Sequence, residues 1–498
     1  MQMQFHKKPL QCLRRIKGEV QTQEQTQELR LPDELPDIGS ILGSWGQLLI
    51  RGKEWRSGEM ELSCGVMVWT LYQPEDGSEP QTVESWIPFQ FRWDLPSTDR
   101  DGRICVSGLL RSVDARVTAA RKMMLRASVS VLGEAWITGD EEVVQPETVP
   151  EDICLLKRTY PVMLPREAGE KAFTMEEELT FPASAPKMEK LLRYSLHPEL
   201  VEEKVISGKV VFRGMCLLHI LYKSTDGGLC PWDFEIPFSQ YSDLDSDYEP
   251  DARASICMGV TSLELEPDPE GRLRLRAGLT GQYVISDRTE LDLVEDAYST
   301  VRSVTVQREE LTLPVALEEE TQTLRGEQTA AMECSRVIDI AFYPDQPQMS
   351  RTPEGVEATL SGQFCILCYD RNGTLCSATQ KWNDSRFLPA DPNAQVQLTL
   401  TPSGVPQGAV GADVNLWSDM LLGIRSTASQ GLPMVTGMET GEMMKPDPGR
   451  PSLIIRPVGK NTLWEIAKET GSTEEAIRKA NRLTTDPKED QLLLIPIL

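Results

Sequence analysis

Three histidines, eleven cysteines and a few runs of acids are the side chains with which this sequence could do chemistry. His6, His197 and His219 lie far apart, and local sequence suggests no Cys–His pairing, so catalytic triads and histidine metal sites have little to draw on. Cys365-Ile366-Leu367-Cys368 has the CxxC spacing of zinc and redox sites. It falls in a strand-like run, however, with no second pair or histidine nearby to complete four ligands. The thiols are read as structural, and no metal is expected. Glu176-Glu177-Glu178 and Glu318-Glu319-Glu320 could supply a general acid and base, but that work needs carboxyls placed in a cleft with shifted pKa values. Contiguous charges of this kind read as solvated faces. No GxxxxGK[ST] phosphate loop occurs. The expectation is a protein that is not an enzyme, with no catalytic residue and no cofactor.

The elements around these residues come from a chain of 498 residues, 40% hydrophobic and 26% charged, with room for about three domains. A net charge of −25 repels nucleic acid and anionic membranes, so basic or polyvalent protein partners fit better. The acidity is uneven: from Ser452 onward, Arg456, Lys460, Lys468, Arg478, Lys479, Arg482 and Lys488 balance as many acids. No run reaches the ~18 apolar residues of a membrane span. Met1 to Val20 has no apolar signal-peptide core, and the odd cysteine count suits a reducing compartment, so a cytoplasmic setting is expected.

A segment recurs at a spacing of about 150 residues. Glu61 to Tyr72 parallels Val211 to Tyr222 and Ala358 to Tyr369, which aligns His219 with Trp69 and Ile366 as a packed strand residue. Each copy runs into a turn carrying Asp76-Gly77, Asp226-Gly227 or Asn372-Gly373, strong hairpin signals. Trp86-Ile87-Pro88-Phe89 and Glu235-Ile236-Pro237-Phe238 follow in the first two copies, and Leu125-Arg126-Ala127 matches Leu275-Arg276-Ala277. In the third copy Lys381-Trp382-Asn383 stands in the Ile-Pro-Phe place and the Leu-Arg-Ala strand has no counterpart.

Alternation makes these copies mainly β. Val210, Phe212, Cys216, Leu218, Ile220 and Tyr222 fall on one face, as do Met60, Leu62, Cys64, Val66, Val68 and Tyr72. One buried face per strand predicts tandem sandwich-like units. Helices are expected only at Ile38 to Leu49 and Met188 to Leu196. The predicted boundaries are 1–137, 155–300 and a degenerate 305–428, then a Gly-, Pro- and Met-rich linker at 431–450, then a module at 451–498.

That module reads as strand, helix, helix, strand. Leu453 to Arg456 is a short strand; Thr462 and Glu465 form a capping box ahead of Leu463, Ile466 and Ala467; Gly471 stops the first helix. Ser472 and Glu475 form a second box, and Leu492 to Pro496 closes the unit.

Asn461-Thr462-Leu463-Trp464-Glu465-Ile466-Ala467, Asn481-x-Leu483 and Leu494-Ile495-Pro496 resemble the LysM family in register. The resemblance implies peptidoglycan or other N-acetylglucosamine-containing glycan as ligand, or use of the fold for protein docking. The groove would lie between the loop of Lys460, Asn461, Thr462 and Leu463 and the loop of Leu483, Thr484, Thr485 and Asp486. Lys460-Asn461 replaces the family's Gly-Asp and Asp490 its glycine, which favours docking over glycan. Trp464 is read as helix-packing core rather than a sugar stacker. The repeated β units resemble the SPOCS domain of spore coat and envelope proteins, in the apolar strand ending in Tyr, the Asp-Gly turn and the Ile-Pro-Phe triplet. Tandem SPOCS units with a C-terminal LysM resemble the SipL-type coat morphogenetic proteins. That resemblance implies a sporulation scaffold in the mother-cell cytoplasm, at the forespore surface, docked to the basement-layer ATPase of the coat or to cortex-like glycan, with self-association open. The alternative is an exported peptidoglycan-binding surface protein.

Overall fold

Alternating apolar and polar residues force extended backbone over most of the chain. The computed structural model describes residues 3–56, 58–96, 102–268, 271–444 and 449–498. The first third holds β1 (Phe5–Pro9), β2 (Leu13–Arg30), β3 (Ile38–Arg56), β4 (Glu59–Pro74), β5 (Gln81–Asp94), β6 (Arg103–Ala119), β7 (Lys122–Thr138) and β8 (Glu142–Pro146). The second holds β9 (Ile153–Leu179), β10 (Met188–Ile206), β11 (Lys209–Ser224), β12 (Leu229–Asp243), β13 (Arg253–Pro267) and β14 (Leu273–Ser299). The third holds β15 (Arg302–Ala330), β16 (Arg336–Pro344), β17 (Gln348–Thr352), β18 (Gly355–Tyr369), β19 (Leu375–Pro389), β20 (Gln395–Val410) and β21 (Val414–Met443).

One topology recurs in each third. The outer strands form an antiparallel sheet, β2-β7-β6, β9-β14-β13 or β15-β21-β20, and the middle strands form a second, β3-β4-β5, β10-β11-β12 or β16-β18-β19. In the last of these β17 pairs with β18 on the same side as β16 and continues its path. The alternating faces anticipated for β4 and β11 are buried throughout, from Met60 to Tyr72 and from Val210 to Tyr222. Each fills a core with residues of the facing sheet, Leu125 and Ala127 in the first unit and Leu275 and Ala277 in the second. A fully buried Leu, Ile or Phe is worth about 1.5–3 kcal/mol, so these faces fix both strand register and sheet pairing. The turns close through left-handed Gly77, Gly227 and Gly373, which only glycine adopts without strain.

Four sequence expectations are corrected. The helices expected at Ile38 to Leu49 and Met188 to Leu196 are strand, within β3 and β10. Bulges at Ile38/Ser40 and Ile41/Gly43, and at Met188/Lys190 and Leu191/Arg193, insert extra residues that break the two-residue period and imitate helical spacing. The third copy is aligned one residue off. Strand pairing puts Cys368 opposite Cys376 where Tyr222 stands opposite Cys230, so Cys365, not Ile366, is the counterpart of His219. A slip of one residue turns every side chain to the other face, which is why the copy looked degenerate. Corrected, Trp382 takes the place of Ile87 and Ile236, and its direct partner Gly362 replaces Val66 and Cys216, a large-for-small exchange.

The missing Leu-Arg-Ala strand is β21, with Leu416 and Ser418 buried at the positions of Leu275 and Ala277. β21 also runs on through Gly431 to Met443, pairing with Arg302 to Thr312 of β15, so this part of the expected linker is strand; residues 445–448 lie outside the described residues. Its buried Leu432, Met434, Val435 and Met438 are spread among glycines and bulges that hide the period.

The three units close on one another. Leu42, Leu192 and Ile338 occupy one strand position in the three units, Leu71, Leu221 and Leu367 the position opposite, and all six share a single cluster. Gln47 of the first unit accepts the Leu196 N–H of the second at 2.9 Å, and Tyr343 Oη of the third accepts the Gly46 N–H of the first at 3.1 Å. Gln47, His197 and Tyr343 are again equivalent positions, and all three line a central cavity of about 580 Å3. A second cluster joins Leu10 and Val144 of the first unit, Leu164 and Leu293 of the second and Leu313 and Leu432 of the third.

Candidate docking site

The last residues form β22 (Leu453–Pro457), α1 (Leu463–Thr470), α2 (Glu474–Asn481) and β23 (Leu492–Pro496), with β22 and β23 antiparallel. Thr462 Oγ1 accepts the Glu465 N–H at 3.2 Å while Glu465 Oε2 accepts the Thr462 N–H at 2.8 Å, closing the expected box. Gly471 ends α1 in the left-handed region at φ 67°. For α2 the cap is Thr473, not Ser472: its hydroxyl accepts the Ala476 N–H at 3.1 Å. Ser472 is fully buried, which leaves capping to the next hydroxyl. Asn481 Nδ2 donates to Leu494 O at 2.6 Å and its Oδ1 accepts the Leu494 N–H at 2.8 Å, clamping α2 to the edge of β23.

The module does not hold its core alone. Val458, Leu463, Trp464, Ile466, Ala467, Ile477, Leu493 and Ile495 share a cluster with Tyr298 of β14 and Cys154 and Leu156 of β9. The rings of Trp464 and Tyr298 meet edge to face at 4.7 Å, and Trp464 Nε1 donates to Asp296 Oδ2 at 2.9 Å. Lys468 Nζ reaches both Asp296 oxygens at 2.8 and 2.7 Å, and Tyr298 Oη donates to Ser472 O at 2.9 Å. Burial alone would raise the Asp296 pKa, but the Lys468 and Trp464 hydrogen bonds outweigh it and hold the carboxyl below its usual value. The module placed by sequence beyond a linker therefore shares its core with the second unit: one apolar cluster spans both.

Of the residues singled out from sequence, Lys460, Thr484, Thr485 and Asp486 are exposed, and Asn461 and Leu483 are half-buried. Thr462 is engaged in its cap, Leu463 is buried, and Asp486 pairs with Arg478. Among the described residues no hydrogen bond joins the 460–463 loop to the 483–486 loop. What the sequence reading passed over is the other side of the sheet, where Leu453, Ile455, Leu492 and Leu494 are exposed. The signal was there in two strands apolar at nearly every position, which leaves an apolar side chain on both faces.

The chemistry-bearing residues of the repeats have structural partners. His219 Nδ1 meets Asp233 Oδ1 at 2.6 Å and Nε2 meets Asp339 Oδ1 at 3.0 Å, while Arg193 Nε donates to Asp339 Oδ2 at 2.7 Å. This buried network ties β10, β11 and β12 of the second unit to β16 of the third. Burial would lower the His219 pKa, but Asp339 and Asp233 overcome it and raise it above the usual imidazole value. Burial would raise Asp339, yet Arg193 and His219 hold it well below the carboxylate range. Cys365 and Cys368, three apart on a strand, point to opposite faces; Cys368 Sγ instead lies 3.5 Å from Cys376 Sγ across the hairpin.

Residues 187–266, which are β10 through β13 with their turns, match the family model described as SipL, SPOCS domain. The chain contains a SPOCS domain. The matched SPOCS segment carries the inward face of β11, the Asp226-Gly227 turn and the Ile236-Pro237-Phe238 triplet, together with Arg193, His219 and Asp233. It ends before β14, and it likens the chain to sporulation-related SipL-like proteins. No curated protein matches the chain.

Proposed function

We propose that this protein is a non-catalytic scaffold of spore coat or envelope assembly, built from three SPOCS units and a LysM-type docking module. The observation that carries the reading is the SPOCS match over residues 187–266. The flanking thirds repeat the topology of the matched one, which supports extending the assignment to both. What supports a non-catalytic reading is how the groups that might do chemistry are spent: His219 and Arg193 fasten two units together, and the CxxC thiols face apart.

The C-terminal order of strand, capped helix, helix and strand supports the LysM reading, and its partner is a basement-layer morphogenetic ATPase rather than glycan. Thr462 and Leu463, half of the first groove loop, are engaged in the helix cap and the core, which leaves less of that loop for a sugar. The protein would act in the mother-cell cytoplasm at the forespore surface.

Pull-downs from sporulating cells test this. The full chain should retain a coat morphogenetic protein that a chain ending at residue 450 loses. Retention by both would sink the docking role. Co-sedimentation with purified peptidoglycan without such a partner would favour the exported, glycan-binding alternative, and release of soluble fragments from it would make the protein an enzyme.

A further inference from the structure

The sheet β22-β23 has one blocked edge and one open edge. Asn481 occupies both backbone groups of Leu494, which must therefore point away from β22. Directly opposed residues of an antiparallel ladder either exchange both bonds or exchange none. Ile455, opposite Leu494, thus turns its N–H and C=O outward too, as do Leu453 and, for its C=O, Pro457. Among the described residues none of these groups meets a protein partner. The same strands expose apolar side chains on one face: Leu453 at 49%, Ile455 at 63%, Leu492 at 64% and Leu494 at 38%. An open edge beside an apolar face is a template for strand addition, which proteins normally blunt with charge or a bulge.

We infer that this edge pairs with β22 of a second copy, making a twofold, four-stranded sheet across two molecules. The sequence of the edge is self-complementary about Ile455. In antiparallel pairing centred there, each Ile455 N–H donates to the Ile455 C=O of the second copy, and each Leu453 N–H donates to a Pro457 C=O. Pro457 has no N–H to return, so each Leu453 C=O stays with solvent and the pairing rests on the two Ile455 bonds and the two Leu453-to-Pro457 bonds. The apolar faces then run on as one surface. Charge permits a like partner here: the chain carries −25, but the segment from Ser452 onward is balanced, so this is the part through which two copies can meet with least repulsion. The pairing is independent of whether the module is LysM-type or holds a coat protein.

The test uses the full chain. Wild type should sediment at twice 55.8 kDa at micromolar concentration, and Ile455→Lys, a change on an exposed face, at 55.8 kDa with unaltered circular dichroism. A cysteine at the twofold centre faces its copy across a Cα separation of about 5.5 Å, within disulfide range. Ile455→Cys treated with oxidised glutathione should therefore yield a dimer on a non-reducing gel. Leu492→Cys, on the far strand, should give no more than wild type with its native thiols. A monomeric wild type, a dimer indifferent to Ile455→Lys, or cross-linking no stronger at 455 than at 492 would each overturn the pairing.

Discussion

Single side chains carry the joints of this molecule. Trp464 packs on Tyr298 and donates to Asp296, so it belongs as much to the second unit as to its own helix. Replacing it with alanine opens a cavity and removes a hydrogen bond, and buried Trp→Ala changes cost about 3–5 kcal/mol. Trp464→Ala should release the module as a separate early transition in urea unfolding, followed by protease sensitivity near residue 450, while the main transition stays in place. A single unshifted transition would mean that the module docks by other contacts.

His219 makes a second joint, and its pH dependence has a definite sign. Its folded pKa lies above the unfolded value of about 6.5, so its stabilisation is complete below that pH and is lost as pH rises through the folded value. The groups facing it are Asp233, Asp339 and Arg193. The melting temperature should therefore fall on raising pH above about 6.5, and His219→Gln should flatten that fall. An identical pH profile in wild type and variant would remove His219 from the account.

At the scale of elements, the strand interiors were legible and the strand ends were not. The inward faces of β4 and β11 follow from alternation alone, whereas the burial of their second face toward the ends, at Leu71 and Leu221, comes from the hub between units. β3 and β10 were mistaken for helix because bulges are tertiary decisions, taken where a strand must bend over its neighbour, and a single sequence shows only the broken period. The third unit was misread by one residue because Tyr369, on the far face, imitates Tyr222 while the true equivalent is Cys368. At the C-terminal module the first cap was readable as local chemistry and the second was missed by one residue, whereas Asp296 and Tyr298, more than 160 residues away in sequence, left no trace in the motif. The linker assignment failed for the same reason, since the partner of Gly431 to Met443 is the distant start of β15. This yields a sharp contrast between truncations. A chain ending at residue 450 keeps β21 whole and should melt cooperatively with native β circular dichroism. One ending at residue 430 strips Arg302 to Thr312 of its partner and takes Leu432 and Met434 from the cluster that joins all three units. It should lose several degrees of melting temperature or aggregate; equal melting of the two would restore the linker.

Over the whole molecule, three units of one topology lock through a shared apolar hub, and the C-terminal module packs on the second unit while keeping one apolar face exposed. The proposed scaffold role would place an acidic body of three units beside a charge-balanced C-terminal module. The most direct measurement is fluorescence imaging of sporulating cells that carry the full chain, or the chain ending at residue 450, fused at its N-terminus. A ring at the forespore for the full chain and diffuse mother-cell signal for the stably folded truncation is the predicted result. Uniform display of the full chain on growing cells, or a forespore ring that persists without residues 451–498, would contradict it.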